Sequence, residues 1–161
     1  MSNNLDYLNR VYLKIDLDKI CNNIKEVMNK VGKDTKVMAV VKADAYGHGA
    51  IEVTKALSEI GTYGFAVATV GEALALRRAG ITKPILILDF VFPNQFETII
   101  RNDIMLTIFR YEIAKELNEA AEQMGTTAHI HIKVDTGMGR IGFIPDDESI
   151  DEIRRISQLP N

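Results

Sequence analysis

Five short apolar runs punctuate the chain: Val37 to Val41, Phe65 to Val70, Ile85 to Phe90, Ile104 to Phe109 and Ala128 to Val134. Several are almost continuously apolar, the pattern of parallel strands buried on both faces. Helical spacing fills the gaps between them. Ile20, Ile24, Val27 and Met28 form one apolar stripe, with Asp18 as a cap and Gly32 as a stop. Ile113, Leu117, Ala120, Ala121 and Met124 repeat the pattern ahead of Gly125, and Gly61 and Gly80 close two further helices. A last helical stretch falls near Ile150 to Ile156. The alternation of strand and helix is that of a parallel α/β fold. One segment departs from it. Val11 to Asp16 alternates apolar and polar side chains, which predicts a half-exposed strand over residues 10 to 16, ahead of the main sheet.

Five βα units are legible, and no linker, low-complexity tract or internal repeat interrupts them. A complete (β/α)8 barrel takes about 250 residues. The pattern therefore fits either a small open α/β sheet or an incomplete TIM-type barrel of about five units. Length alone favours the open sheet, and the motifs must decide.

Composition narrows the function. The chain is 47% hydrophobic and 25% charged, with a net charge of −3. Neither nucleic acid nor an anionic membrane surface suits that balance, since both favour a basic face. No stretch approaches the roughly 20 apolar residues of a membrane span. The N-terminus lacks a signal-peptide core, and the single cysteine, Cys21, has no disulfide partner. These features predict a cytoplasmic protein.

The first candidate for chemistry ends a strand. Val37-Met38-Ala39-Val40-Val41 runs into Lys42 and then Ala43-Asp44-Ala45-Tyr46-Gly47-His48-Gly49. The carboxyl ends of parallel strands are where α/β folds bind ligands. A lysine whose amine is freed of its proton condenses with an aldehyde and accepts protons. Gly47 and Gly49 permit close backbone approach, and the start of the next helix offers an anion site that the Tyr46 phenol can share. His48 reads as helix-start structure.

The run VVKADAYGHG resembles the signature of alanine racemases. In that family the lysine attaches pyridoxal 5′-phosphate (PLP) and the tyrosine touches the cofactor phosphate, which implies those roles for Lys42 and Tyr46. The second motif follows the fifth run: Lys133-Val134-Asp135-Thr136-Gly137-Met138-Gly139-Arg140-Ile141-Gly142-Phe143. Gly137, Gly139 and Gly142 satisfy G-x-G-x-x-G, but the dinucleotide fingerprint belongs to a first βα turn with a helix opening inside it. Here the helix is expected only after Pro145-Asp146. KVDTGMGRIGF instead resembles alanine racemases again, which implies Arg140 beside cofactor and substrate carboxylate. Its fixed, permanently charged fork suits that partner. In some family members the position of Lys133 is carbamylated and holds this arginine; the alternative is a plain Lys133–Asp135 ion pair. His129 and His131 read as packed core histidines rather than metal ligands, and no metal is expected. Asp89 reads as a loop or capping residue and Tyr111 as packing.

The resemblance, which also covers YLKIDLDKI and EALALRRAG, implies the fold and the activity together. It points to the N-terminal part, residues 1–161, of a PLP-binding (β/α)8 barrel. The family's C-terminal β domain, with its opposite-face tyrosine base and most of its dimer contacts, has no counterpart in this sequence. The implied reaction is PLP-dependent racemisation of alanine, an isomerase activity that supplies D-alanine for peptidoglycan, in a homodimer. Lys42 would serve one face of the substrate. With one base, residues 1–161 are expected to be inactive alone. The other reading is a non-catalytic PLP-binding or assembly piece.

Overall fold

The computed structural model describes residues 11–161 and is an incomplete (β/α) barrel of five parallel strands. In chain order the elements are α1 (Leu17–Val31), β1 (Met38–Val40), a single helical turn α2 (Lys42–Gly47), α3 (Ala50–Glu59), β2 (Gly64–Val67) and α4 (Val70–Arg78). They continue as β3 (Ile85–Ile87), a 3₁₀ turn (Pro93–Gln95), α5 (Phe96–Arg101), β4 (Ile104–Ile108), α6 (Tyr111–Gln123), β5 (Ile130–Ile132) and α7 (Asp147–Ile156). Every strand predicted from the apolar runs is present, each shorter than its run. The run ending at Val70 is cut at Val67 because Thr69 caps α4: its hydroxyl accepts the Glu72 N–H at 3.2 Å.

Strand order is strictly β1-β2-β3-β4-β5, each pair parallel. A doubly wound sheet must reverse its order at a switch point. An arc of a barrel need not, and keeps its helices on one side. The core follows that rule. Ala39, Phe65, Val67, Ile85, Ile87, Ile104, Leu106 and Ile108 share one face of the sheet and one buried cluster with the helices. Each such apolar side chain contributes about 1.5–3 kcal/mol by burial. The other face carries Val40, Ala66, Leu86, Met105, Thr107 and His131 in alternate register.

Three expectations are corrected on this frame. His129 and His131 are exposed, not packed in the core, because β5 is an edge strand whose helix-free face is uncovered. Residues 11 to 16 form no strand: Val11 and Leu13 are 87% and 83% exposed, and alternation without a neighbouring strand makes no ladder. Arg10, where that expectation began, lies outside the described residues. The cap of α1 lies two residues earlier than expected. Asp16, in extended backbone, accepts the Lys19 N–H at 3.1 Å, while Asp18 sits in the first turn. Tyr111 packs as expected, under the Arg155 guanidinium at 3.7 Å from its ring centre.

The amino ends of β3 and β4 are knitted by one side chain. Arg77 donates to the carbonyls of Ile81, Lys83, Asn102 and Asp103 at 2.6–2.9 Å. This anchor lies at the amino ends of the strands, and the unusual backbone lies at their carboxyl ends.

Candidate active site

Lys42 follows the last rung of β1, where the Val41 N–H donates to the Ala66 carbonyl at 2.8 Å. Lys42 is half-buried and Tyr46 is 60% exposed. Between them the backbone does something the sequence does not announce. Ala43 (φ 51°, ψ 50°), Asp44 (53°, 47°), Ala45 (52°, 45°) and Tyr46 (55°, 38°) are all left-handed. None is glycine. Each L-residue held there costs about 1–2 kcal/mol, so the turn stores about 4–8 kcal/mol. Strain of this size persists only where surrounding contacts over-determine it.

Those contacts are identifiable. The Ala45 N–H donates to Val41 O at 2.9 Å, the Gly49 N–H to Asp44 O at 3.0 Å and the His48 N–H to Ala45 O at 3.1 Å. His48 Nδ1 lies 2.8 Å from the same Ala45 oxygen, a structural role as expected. The Asp44 carboxylate accepts the Ala50 N–H at 2.7 Å. The Glu72 carboxylate, from α4, accepts the Ala43 N–H at 2.7 Å. Gly47 and Gly49, at φ 83° and 88°, carry the chain out of the turn into α3.

The Asp44 contact changes one expectation. The start of α3 was read as an open anion site, but its first N–H already holds the Asp44 carboxylate. The Tyr46 phenol, 60% exposed, is a polar group of the turn that could meet a cofactor phosphate. With Asp44 and Glu72 both spent on backbone donors, the half-buried Lys42 amine and the exposed Tyr46 phenol are left as donor side chains of the turn. That donor set fits an aldehyde bearing a phosphate. Beside the turn, an apolar cleft of about 390 Å³ lies between α1 and the edge of β1, with His48 as its one polar lining residue.

The second motif sits at the opposite edge of the sheet, on the same carboxyl rim. The Lys133 N–H extends the β4–β5 ladder to Ile108 O at 2.8 Å. An isolated parallel bridge, Val134 to Phe143, then closes a loop whose tip contains Arg140, an exposed residue. Asp135 organises it, accepting the Gly137 and Gly139 N–H groups at 2.9 and 3.0 Å. These bonds, Gly139 foremost, hold the Asp135 carboxyl below its usual pKa. The Lys133–Asp135 ion pair is therefore absent, and among the described residues no hydrogen bond or ion pair joins Lys42, Tyr46, Lys133 and Arg140 to one another. Gly142 is required where it stands: a Cβ there would meet Asp135 N at 2.6 Å. No helix opens inside the glycine motif. α7 starts at Asp147, capped by Asp146 on the Ser149 N–H at 2.8 Å, as expected for a loop that is not a dinucleotide fingerprint. Asp89 likewise has a local role, accepting the Phe90 N–H at 2.9 Å.

Sequence reading missed Glu72 and Asp44. Thr69 and Glu72 are visible in advance as a capping box, but the third donor to Glu72, Ala43, lies on another βα unit.

A family model for the N-terminal domain of alanine racemase matches residues 15–161. The chain belongs to this family. Alanine racemases from Clostridium tetani and Methanococcus maripaludis are 48% and 47% identical to it, over 96% and 94% of this chain and 40% of each relative. The chain thus spans about two fifths of their length. Among solved structures, alanine racemase from Clostridium difficile 630, in complex with cycloserine, superimposes with TM-score 0.84 at 43% identity, covering 89% of this chain and 39% of that one. A histidine racemase from Leuconostoc mesenteroides superimposes with TM-score 0.80 at 29% identity, covering 90% and 39%. The same frame therefore serves racemases named for different amino acids. Among the described residues no helix is long and apolar enough to cross a membrane.

Proposed function

We propose that this chain forms the lysine-bearing part of the active site of an alanine racemase that uses pyridoxal 5′-phosphate to interconvert L- and D-alanine. The observation that carries the reading is Lys42, half-buried at the end of β1, followed by a strained turn that ends on the exposed Tyr46 phenol. Strain on four consecutive residues beside a lysine has no use in a merely structural loop. Lys42 would hold the cofactor through its amine, and the Tyr46 phenol would hold its phosphate. Arg140 presents its guanidinium to the substrate carboxylate. Lys133 is the candidate for carbamylation, which would give Arg140 an anionic partner. When bound, the cofactor supplies an electron sink for charge developing at the α-carbon.

Lys42 would carry the α-proton on one face of the substrate. Inversion needs a second proton carrier on the other face, and the two motifs provide one base. Residues 1–161 alone are therefore expected to hold cofactor without racemising. In the cell the whole protein acts as a cytoplasmic homodimer that supplies D-alanine for peptidoglycan.

The test is direct attachment. The chain is incubated with pyridoxal 5′-phosphate, reduced with borohydride and digested, and the modified lysine is located by mass spectrometry. The adduct is expected on the Lys42 peptide and lost in Lys42→Ala. Labelling spread evenly over surface lysines would overturn the cofactor role. Conversion of L- to D-alanine by residues 1–161, above the Lys42→Ala level, would overturn the expected inactivity.

A further inference from the structure

Glu72 bonds more widely than its place in a capping box requires. Its Oε2 accepts the Ala68 N–H at 2.7 Å and the Thr69 N–H at 3.1 Å, which serves the start of α4. Its Oε1 accepts the Ala43 N–H at 2.7 Å, on a βα unit 29 residues earlier in the chain. Ala43 is the first left-handed residue after Lys42. The hydrogen bonds inside the turn engage the N–H groups of Ala45, His48 and Gly49, so the Ala43 donor depends on Glu72.

We infer that Glu72 is a positioning residue for Lys42: its carboxylate locks the first βα turn in its left-handed form and ties it to the second. The chemistry calls for a carboxylate with both oxygens in use. Ionised, it is acceptor-only and serves donors on two sides. Glutamine offers one oxygen, and its amide N–H groups would face either Ala43 or the Ala68–Thr69 pair. Aspartate is one methylene short of bridging both turns. Loss of the Ala43 bond frees the strained residues to relax toward right-handed backbone, and relaxation there redirects the side chain of Lys42, the adjoining residue. The inference rests on the cofactor reading for its consequence, though not for its geometry.

The experiment uses the full chain and four forms: native, Glu72→Gln, Thr69→Ala and the double variant Glu72→Gln/Ala43→Gly. Hydrogen exchange of the Ala43 amide is expected to accelerate at least tenfold in Glu72→Gln, with Ile87 in β3 unchanged. The rate of borohydride-trapped attachment of pyridoxal 5′-phosphate to Lys42 should fall at least fivefold. Thr69→Ala disturbs the cap of α4 but leaves the Ala43 bond, so both readouts should stay at native values. Glycine at position 43 makes the left-handed form accessible without a clamp, so the double variant should regain a substantial part of the attachment rate. A cap-only role for Glu72 gives no such rescue. Unchanged Ala43 exchange in Glu72→Gln, or an attachment rate that glycine does not restore, overturns the inference. If native protein fails to label Lys42 at all, the cofactor reading fails instead, and Ala43 exchange still decides the role of Glu72.

Discussion

Replacing Ala43 by glycine should stabilise this protein, the opposite of what glycine does in almost any helical turn. Ala43 stands at φ 51°, ψ 50°, and its side chain is exposed, so its methyl group contributes little packing. Relief of left-handed strain returns about 1–2 kcal/mol. Against this, glycine adds freedom to the unfolded chain worth about 0.4–1 kcal/mol. The net gain is about 0.5–1 kcal/mol, or a rise of about 1–4 °C in Tm for a chain of this length. The control is Ala75→Gly in α4, where the backbone is right-handed. Glycine there costs about 1 kcal/mol in helix propensity. Thermal and urea denaturation, followed by circular dichroism, read both variants on one scale. The two substitutions should move the midpoint in opposite directions. A fall in Tm for Ala43→Gly comparable to that for Ala75→Gly would refute the left-handed turn and the stored strain argued from it. The neighbouring positions are poorer probes: Asp44 caps α3 and Ala45 is buried.

The loop that carries Arg140 yields two more predictions. Gly142→Ala should destabilise by about 2–4 kcal/mol, since its Cβ would press on Asp135 N at 2.6 Å. Gly139→Ala, at φ 67° with open space around it, should cost only about 1–2 kcal/mol of backbone strain; equal losses of denaturation midpoint would contradict the close approach. Asp135 titrates below its usual value because Gly139 and Gly137 donate to its ionised form. Its contribution is therefore complete above the unfolded carboxyl pKa of about 3.9 and is lost as pH falls through the lower folded value. The Gly137 and Gly139 amide resonances should hold steady from pH 8 to 5, shift with a midpoint below about 3.9, and lose that titration in Asp135→Asn. A midpoint at or above that value would show that the two amide bonds do not hold the loop.

The sequence by itself settled the βα rhythm, because strands buried on both sides are written as apolar runs that need no knowledge of their neighbours. It settled the placement of Lys42 at a strand end and of Arg140 in a loop before a helix, since glycine and proline punctuation is local. It also held the capping box of Thr69 and Glu72. Only the tertiary structure decided what depends on partners far along the chain. An alternating stretch at Val11 to Asp16 is a strand only if another strand lies beside it, and among the described residues none does. His129 and His131 look like core residues until β5 proves to be an edge. Strand order, and with it a barrel arc rather than a doubly wound sheet, is a global property. The left-handed turn is the sharpest case. Asp44 tolerates positive φ, but local preference opposes it at Ala43, Ala45 and Tyr46. The fold imposes that conformation through an acceptor 29 residues away, where Glu72 reaches back to the N–H beside Lys42.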